Sequence, residues 1–157
     1  MQMMQFSMFS KKVMVHYLAC LCLIWLGMII GVSFVATPAK FLTPTLTLPT
    51  AVDVGRHVFG VFTKVEIACG IASFVLLIFL RPSRTVMTAF VIIWTILVLQ
   101  TFWLFPFLSN RVDDLLQGQT PPKSNLHTLY AALELIKIVV LGILGYRYIL
   151  PDNSKNQ

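Results

Sequence analysis

The chain has 157 residues, of which 57% are hydrophobic and only 11% are charged. A soluble domain carries about 25% charged residues, so this balance points to a bilayer and to one compact domain over 1–157. The net charge of +6 sits at chain ends and turns rather than in a basic patch, which argues against nucleic acid as a partner and leaves the charges to set topology.

The first apolar run is Val13 to Val35, broken only by His16 and preceded by Lys11 and Lys12. A signal peptide shares this layout but has an apolar core of about 7–15 residues. The run is closer to the ~20 residues that span hydrocarbon, so it is read as a retained first helix, stopped by Pro38 and the stretch Thr43 to Pro49. The second helix is expected to start at a Thr47 or Thr50 cap with Pro49 in its first turn, and its apolar part is Val58 to Leu80. Arg81-Pro82-Ser83-Arg84 then forms a tight turn. The third run, Val86 to Phe105, is closed by Pro106, and Ser124 or Asn125 caps the fourth, Leu126 to Leu150, before Pro151. The Met-rich start, Met1 to Met8, and the polar tail, Asp152 to Gln157, are expected to fray.

This reading gives an all-α integral membrane protein, a bundle of four transmembrane helices over about 13–36, 57–80, 86–105 and 126–149. With both termini on one side, that side holds Lys11, Lys12, Arg81, Arg84, Arg147 and Lys155, against Lys40, Arg56, Arg111 and Lys123 on the other. Six against four favours cytoplasmic termini. The loops around 39–57 and 106–124 then share the outer face. Trp103 fits an interfacial belt, while Trp25 lies mid-span and is expected to be packed. Cys20 and Cys22 point to different faces, Cys69 stands alone, and no metal or haem-attachment spacing links the cysteines.

Shifted by 68 positions, the two halves partly overlay: Pro38 falls on Pro106 and Glu66 on Glu134. Five of seven positions around the glutamates, Val61 to Ile67 against Leu129 to Leu135, keep their chemical type. The chain therefore reads as a candidate pair of parallel two-helix repeats, with both glutamates at matching depth near a pseudo-twofold axis along the membrane normal.

A carboxylate in hydrocarbon costs at least a few kcal/mol, so Glu66 and Glu134 mark either pairing or function. On the fourth helix His127, Tyr130, Glu134 and Lys137 fall at spacings of 3, 4 and 3, which is one face. On the second, Arg56, Thr63, Glu66 and Gly70 share a face, with His57 and Lys64 on a neighbouring one. Lipid cannot satisfy the two stripes, so both are expected to face the bundle interior, with Gln100 of the third helix in the same layer. Glu134 and Lys137, three apart, can neutralise each other, and Glu66 can meet Lys137, Gln100 or Tyr130. The alternative is a shared proton or cation site, since two close carboxylates in low dielectric cannot both ionise cheaply. His57 and His127 fall near the outer helix ends. They read as wet helix-end histidines or as a metal or haem axial pair. Gly27 and Gly31 form a Gly-x-x-x-Gly face for close packing, within the bundle or with a second copy. Phosphate loops, nucleophile elbows and metalloprotease motifs are missing, so an enzyme is not expected. Asp113 and Asp114, beside Arg111, read as a solvated helix end in a loop.

The stretch Trp25-Leu26-Gly27, then Phe34-Val35-Ala36-Thr37-Pro38-Ala39-Lys40-Phe41, resembles the first helix of a family of small bacterial membrane proteins. That family is the domain-of-unknown-function 4149 family, similar to eukaryotic transmembrane protein 205. The pattern Ala-x-x-x-Gly-Arg-x-x-x-x-x-Phe of its next helix reads here as Ala51 to Phe62, and His127 to Lys137 is similar to its last helix. Lys40 replaces an apolar residue of the family pattern, and Lys64 departs from it too. Over about residues 13–150 the resemblance implies four helices and an inner-membrane address, and it brings no reaction. The leading expectation is small-molecule or ion binding or transport through a polar layer of Glu66, Glu134, Tyr130, Gln100 and Lys137. The alternatives are an accessory subunit of a membrane complex, and a haem- or metal-binding redox protein using His57 and His127.

Overall fold

The computed structural model describes residues 2–149, with side chains over 11–149. Leu150, the tail from Pro151 and Lys155 lie outside the described residues, as do the side chains of Met3, Met4 and Met8. The described residues are all helix, turn and loop. Helix α1 covers Gln2–Ile29, α2 Thr37–Lys40, α3 Leu48–Leu80, α4 Arg84–Leu99, α5 Phe105–Leu116 and α6 Leu126–Ile149. Two π-helical stretches, Ile30–Ala36 and Gln100–Leu104, join α1 to α2 and α4 to α5. Helix α1 thus begins ahead of the expected Val13, and the backbone from Gln2 is helical rather than frayed.

Four continuous helices result, Lys11–Lys40, Leu48–Leu80, Arg84–Leu116 and Leu126–Ile149, each long and apolar enough to cross a membrane. Their outward faces are apolar, with Ile24, Val61, Ile71, Phe79, Val98 and Ile143 exposed. Such a largely apolar exterior, interrupted on the second span by the exposed Lys64, suits lipid and not water.

Pro38, with the stretch Thr43 to Pro49, and Pro106 were expected to close their helices. The first does end at Lys40, two residues past Pro38, whereas the third runs on past Pro106 to Leu116. Proline lacks an N–H, and its ring clashes with the carbonyl four residues back. The chain avoids the clash by widening one turn to i→i+5 spacing just before each proline. The Thr37 N–H donates to the Val32 carbonyl, and the Phe105 N–H to the Gln100 carbonyl. These turns sit 68 positions apart, the same shift that overlays the glutamates. The expected loops shrink accordingly. Only 41–47 separates α2 from α3, and α5 occupies most of the supposed loop after Pro106.

The remaining boundaries follow local chemistry. Thr47 caps α3, its hydroxyl accepting from the Thr50 N–H at 3.5 Å, and Pro49 sits in the first turn, where no N–H is needed. Arg81 ends α3 in the left-handed region at φ 46°, and Pro82 prevents continuation. At the start of α6 the Ser124 hydroxyl accepts from the Leu126 N–H at 3.5 Å.

Helix α1 packs against α6 and α3, while α4 and α5 complete the ring against α6 and α3. Helices α3 and α6 therefore face each other across the middle. Gly145 lets α1 and α6 approach, since a Cβ there would stand 2.6 Å from Leu23 Cδ2. An apolar core that includes Leu18, Trp25, Ile29, Leu77, Phe90 and Leu141 runs through the bundle. The buried polar residues Glu66, Gln100, Glu134 and Lys137 gather in a layer beside it.

Candidate functional site

Every long helix sends a side chain to this layer. Lys137 of α6 donates to Glu66 Oε1 of α3 at 2.5 Å and lies 3.1 Å from Glu134 Oε1 on its own helix. Trp25 of α1 donates its indole N–H to Glu66 Oε1 at 2.9 Å. Gln100, in the π-helical stretch after α4, donates to Glu134 Oε1 at 3.0 Å and to the Tyr130 carbonyl at 3.4 Å. Glu134 and Lys137 are 0% exposed and Glu66 is 1% exposed, so water screens none of these contacts. The spacing explains the convergence. Glu134 and Lys137 share a face at i,i+3, and the i,i+3 pair Thr63 and Glu66 gives α3 its matching inward face.

Depth is also matched. Glu66 is eight residues past Val58 and Glu134 eight past Leu126, or about 12 Å along each helix. Two carboxylates of the layer share one ammonium. Among the described residues Glu134 Oε2, Gln100 Oε1 and the Tyr130 hydroxyl are buried there with no partner at hydrogen-bond distance, the Tyr130 hydroxyl lying close to Thr63 and Glu134. Buried polar groups are normally satisfied, and these three open atoms lie on neighbouring side chains of one layer. The geometry can therefore accept one more proton or a small cation at Glu134.

Tyr130 has a second role in the architecture. It also lines a partly open cavity of about 320 Å³ between the helix ends, with Lys40, Phe59, Phe105, Arg111 and His127 around it. The Phe59 ring meets the Tyr130 ring edge-on at 5.3 Å between centroids. Tyr130 thus borders both the cavity and the charged layer.

Of the residues singled out in the sequence, Glu66, Glu134, Gln100, Lys137 and Tyr130 come together. His57 and His127 do not join them. The His57 side chain is 72% exposed and sits beside Asp53, whose carbonyl lies 3.0 Å from its ring nitrogen. His127 stays exposed at the cavity rim. Among the described residues no three His, Cys, Asp or Glu side chains converge where they could hold a metal ion. Lys64 points outward, away from the stripe beside it. Gly27 and Gly31 face open space, with nothing among the described residues within 4 Å of a Cβ added there. Cys20 is exposed, whereas Cys22 and Cys69 are buried. Asp113 is not a free solvated end: on α5 it pairs with Arg56 of α3, which also holds Asp53 at 2.5 Å.

Three participants escaped sequence reading. Trp25 was read as packing alone, although a buried indole N–H requires an acceptor. Lys40 and Arg111 were read as topology charges and turn inward at the cavity instead. Compared with family models, curated proteins and solved structures, the chain finds no match.

Proposed function

We propose that this chain is a multi-pass protein of the bacterial inner membrane, with both termini cytoplasmic. It binds or transports a small molecule or ion through its buried polar layer, with Glu134 taking up and releasing a proton. The observation that carries the reading is the charge balance of the layer. Two fully buried carboxylates face one ammonium, and Glu134 Oε2 has no hydrogen-bond partner among the described residues. A proton or cation on that atom neutralises the set, and intramembrane carboxylates with an incomplete partner set mark proton and ion pathways. The matched π-turns before Pro38 and Pro106 support a duplication into two parallel two-helix repeats, which sets the glutamates at equal depth on facing helices.

Proton flux into liposomes holding the purified protein, driven by a potassium diffusion potential and read with an internal pH dye, tests the reading. The wild type should exceed empty liposomes, and Glu134→Gln should fall to their level. Equal flux through wild type and variant would refute it.

A second reading has its own support. Trp25, Glu66 and Lys137 tie α1, α3 and α6 together, as they would in an accessory subunit whose polar layer only locks the bundle. Under that reading Glu134→Gln lowers stability or partner recovery and changes no flux.

A further inference from the structure

The cavity above Tyr130 is basic at its rim and apolar in its walls. Lys40 and Arg111 both line it, and no aspartate or glutamate does. Neither cation has an acidic partner among the described residues, because Asp53 and Asp113 are taken up by Arg56. Arg111 holds only the Pro122 carbonyl of the following loop. Lys40 is aimed inward by the fold: its amine lies against Gly55, where a Cβ would stand 1.9 Å from Nζ and 3.3 Å from Cε. Glycine at 55 is therefore what admits the amine. Phe41, whose ring centre lies 5.1 Å from Nζ, holds it from the other side. The apolar lining includes Phe59, Phe105 and Leu108, and Tyr130, which borders the buried layer, lines it too. At about 320 Å³ the space is at the small end of ligand pockets.

Unpaired cations at the edge of an apolar cavity favour a ligand with one anionic head and a hydrocarbon body. We propose that this cavity binds a small amphipathic anion, a carboxylate or phosphate head on an apolar body, with the head on Lys40 and Arg111 and the body against Phe59 and Phe105. The assignment names the substrate class of the site and rests on the binding or transport reading above. It also gives Tyr130 a place at the border of both the bound anion and the layer of the proton-carrying carboxyl.

The test is binding of octanoate and of uncharged octan-1-ol to the full chain in phosphatidylcholine nanodiscs, with empty nanodiscs as baseline. One octanoate per chain is expected, with octanol at least about tenfold weaker, the loss of one charge-assisted hydrogen bond. Lys40→Gln should weaken octanoate by a similar factor and leave octanol unchanged. Gly55→Ala, which displaces the amine but keeps its charge, should do the same and covers the case in which the lysine variant folds poorly. Equal affinity for acid and alcohol, wild-type binding by both variants, or no binding of octanoate would overturn the proposal. In a second arm phosphatidylglycerol replaces part of the phosphatidylcholine. Displacement of octanoate there identifies a lipid head group as the occupant, and undiminished binding identifies a free amphiphile. Because Lys40 and Gly55 lie outside the charged layer, a failure here leaves Glu134-dependent proton flux standing, and loss of that flux leaves this binding standing.

Discussion

Lys137 stands at the centre of the residue-scale account. Its ammonium is fully buried and contacts both carboxylates, and taking such a charge out of water is tolerable only while its partners remain. Lys137→Met leaves two buried carboxylates with no cation. It should destabilise the fold by about 3–5 kcal/mol, measured as a lowered midpoint in denaturant unfolding from mixed micelles. The triple variant Lys137→Met with Glu66→Gln and Glu134→Gln should recover much of the loss, since no unpaired charge is then left. An unchanged midpoint in the single variant would show that the lysine carries no structural weight. This part of the site was legible in the sequence because Glu66, Glu134 and Lys137 fall on polar stripes at helical spacing, which lipid cannot satisfy, whereas Lys64, off the stripe on the same run as Glu66, points outward. Trp25 was not legible, since an indole in an apolar run reads as mere bulk until its N–H is asked for a partner. Lys40 and Arg111 were hidden for a different reason: a cation at a helix end satisfies topology and cavity lining equally well, and only packing distinguishes them.

At the scale of the element, the two π-turns and the Arg81 hinge decide how the chain is routed. Proline was read as a stop signal at Pro38 and Pro106, and the helix passes Pro38 by only two residues but runs through Pro106 to Leu116. The rule behind that reading concerns a clash with one carbonyl, and an i→i+5 turn moves that carbonyl out of the way. No residue type in either stretch announces such a turn. The turns also place Gln100 at the start of the second π-helical stretch, within reach of Glu134. The tight reversal between α3 and α4, by contrast, was plain from Arg81-Pro82-Ser83-Arg84. Its cost falls on Arg81, a residue with a Cβ held at φ 46°. Left-handed backbone costs such a residue about 1–2 kcal/mol, so Arg81→Gly should raise the unfolding free energy by up to about 1 kcal/mol, read as a higher midpoint. Arg81→Val should lower it, because a β-branched side chain is worse still there. If the glycine variant proved the less stable of the two, the conformation assigned to the hinge would be wrong.

For the whole molecule, the apolar exterior and the polar layer fix what kind of object this is, and topology fixes which way it faces. Fold class was the most legible feature, because four long apolar runs admit few arrangements. Relative helix placement was not, since apolar side chains on a lipid face and on a packed face have the same composition. The account puts the Arg81–Arg84 turn on the side of the termini and the cavity on the other. Single cysteines at Ser83 and Lys123, in a background with Cys20, Cys22 and Cys69 replaced by alanine, should react with an impermeant maleimide from opposite faces of the cell membrane. Ser83→Cys should label only after permeabilisation and Lys123→Cys in intact cells; the reverse pattern would invert the orientation, and labelling of both in intact cells would break the four-span topology.

The central claim is that Glu134 carries an exchangeable proton inside the bundle. Infrared difference spectra of the reconstituted protein, recorded between acidic and alkaline buffer, observe that proton directly through the carboxylic acid C=O stretch. The account predicts a carboxylic acid band that appears on acidification, shifts in heavy water and vanishes in Glu134→Gln while persisting in Glu66→Gln. A spectrum with no titrating carboxylic acid, or one unchanged by Glu134→Gln, would contradict it and leave the layer as a structural lock.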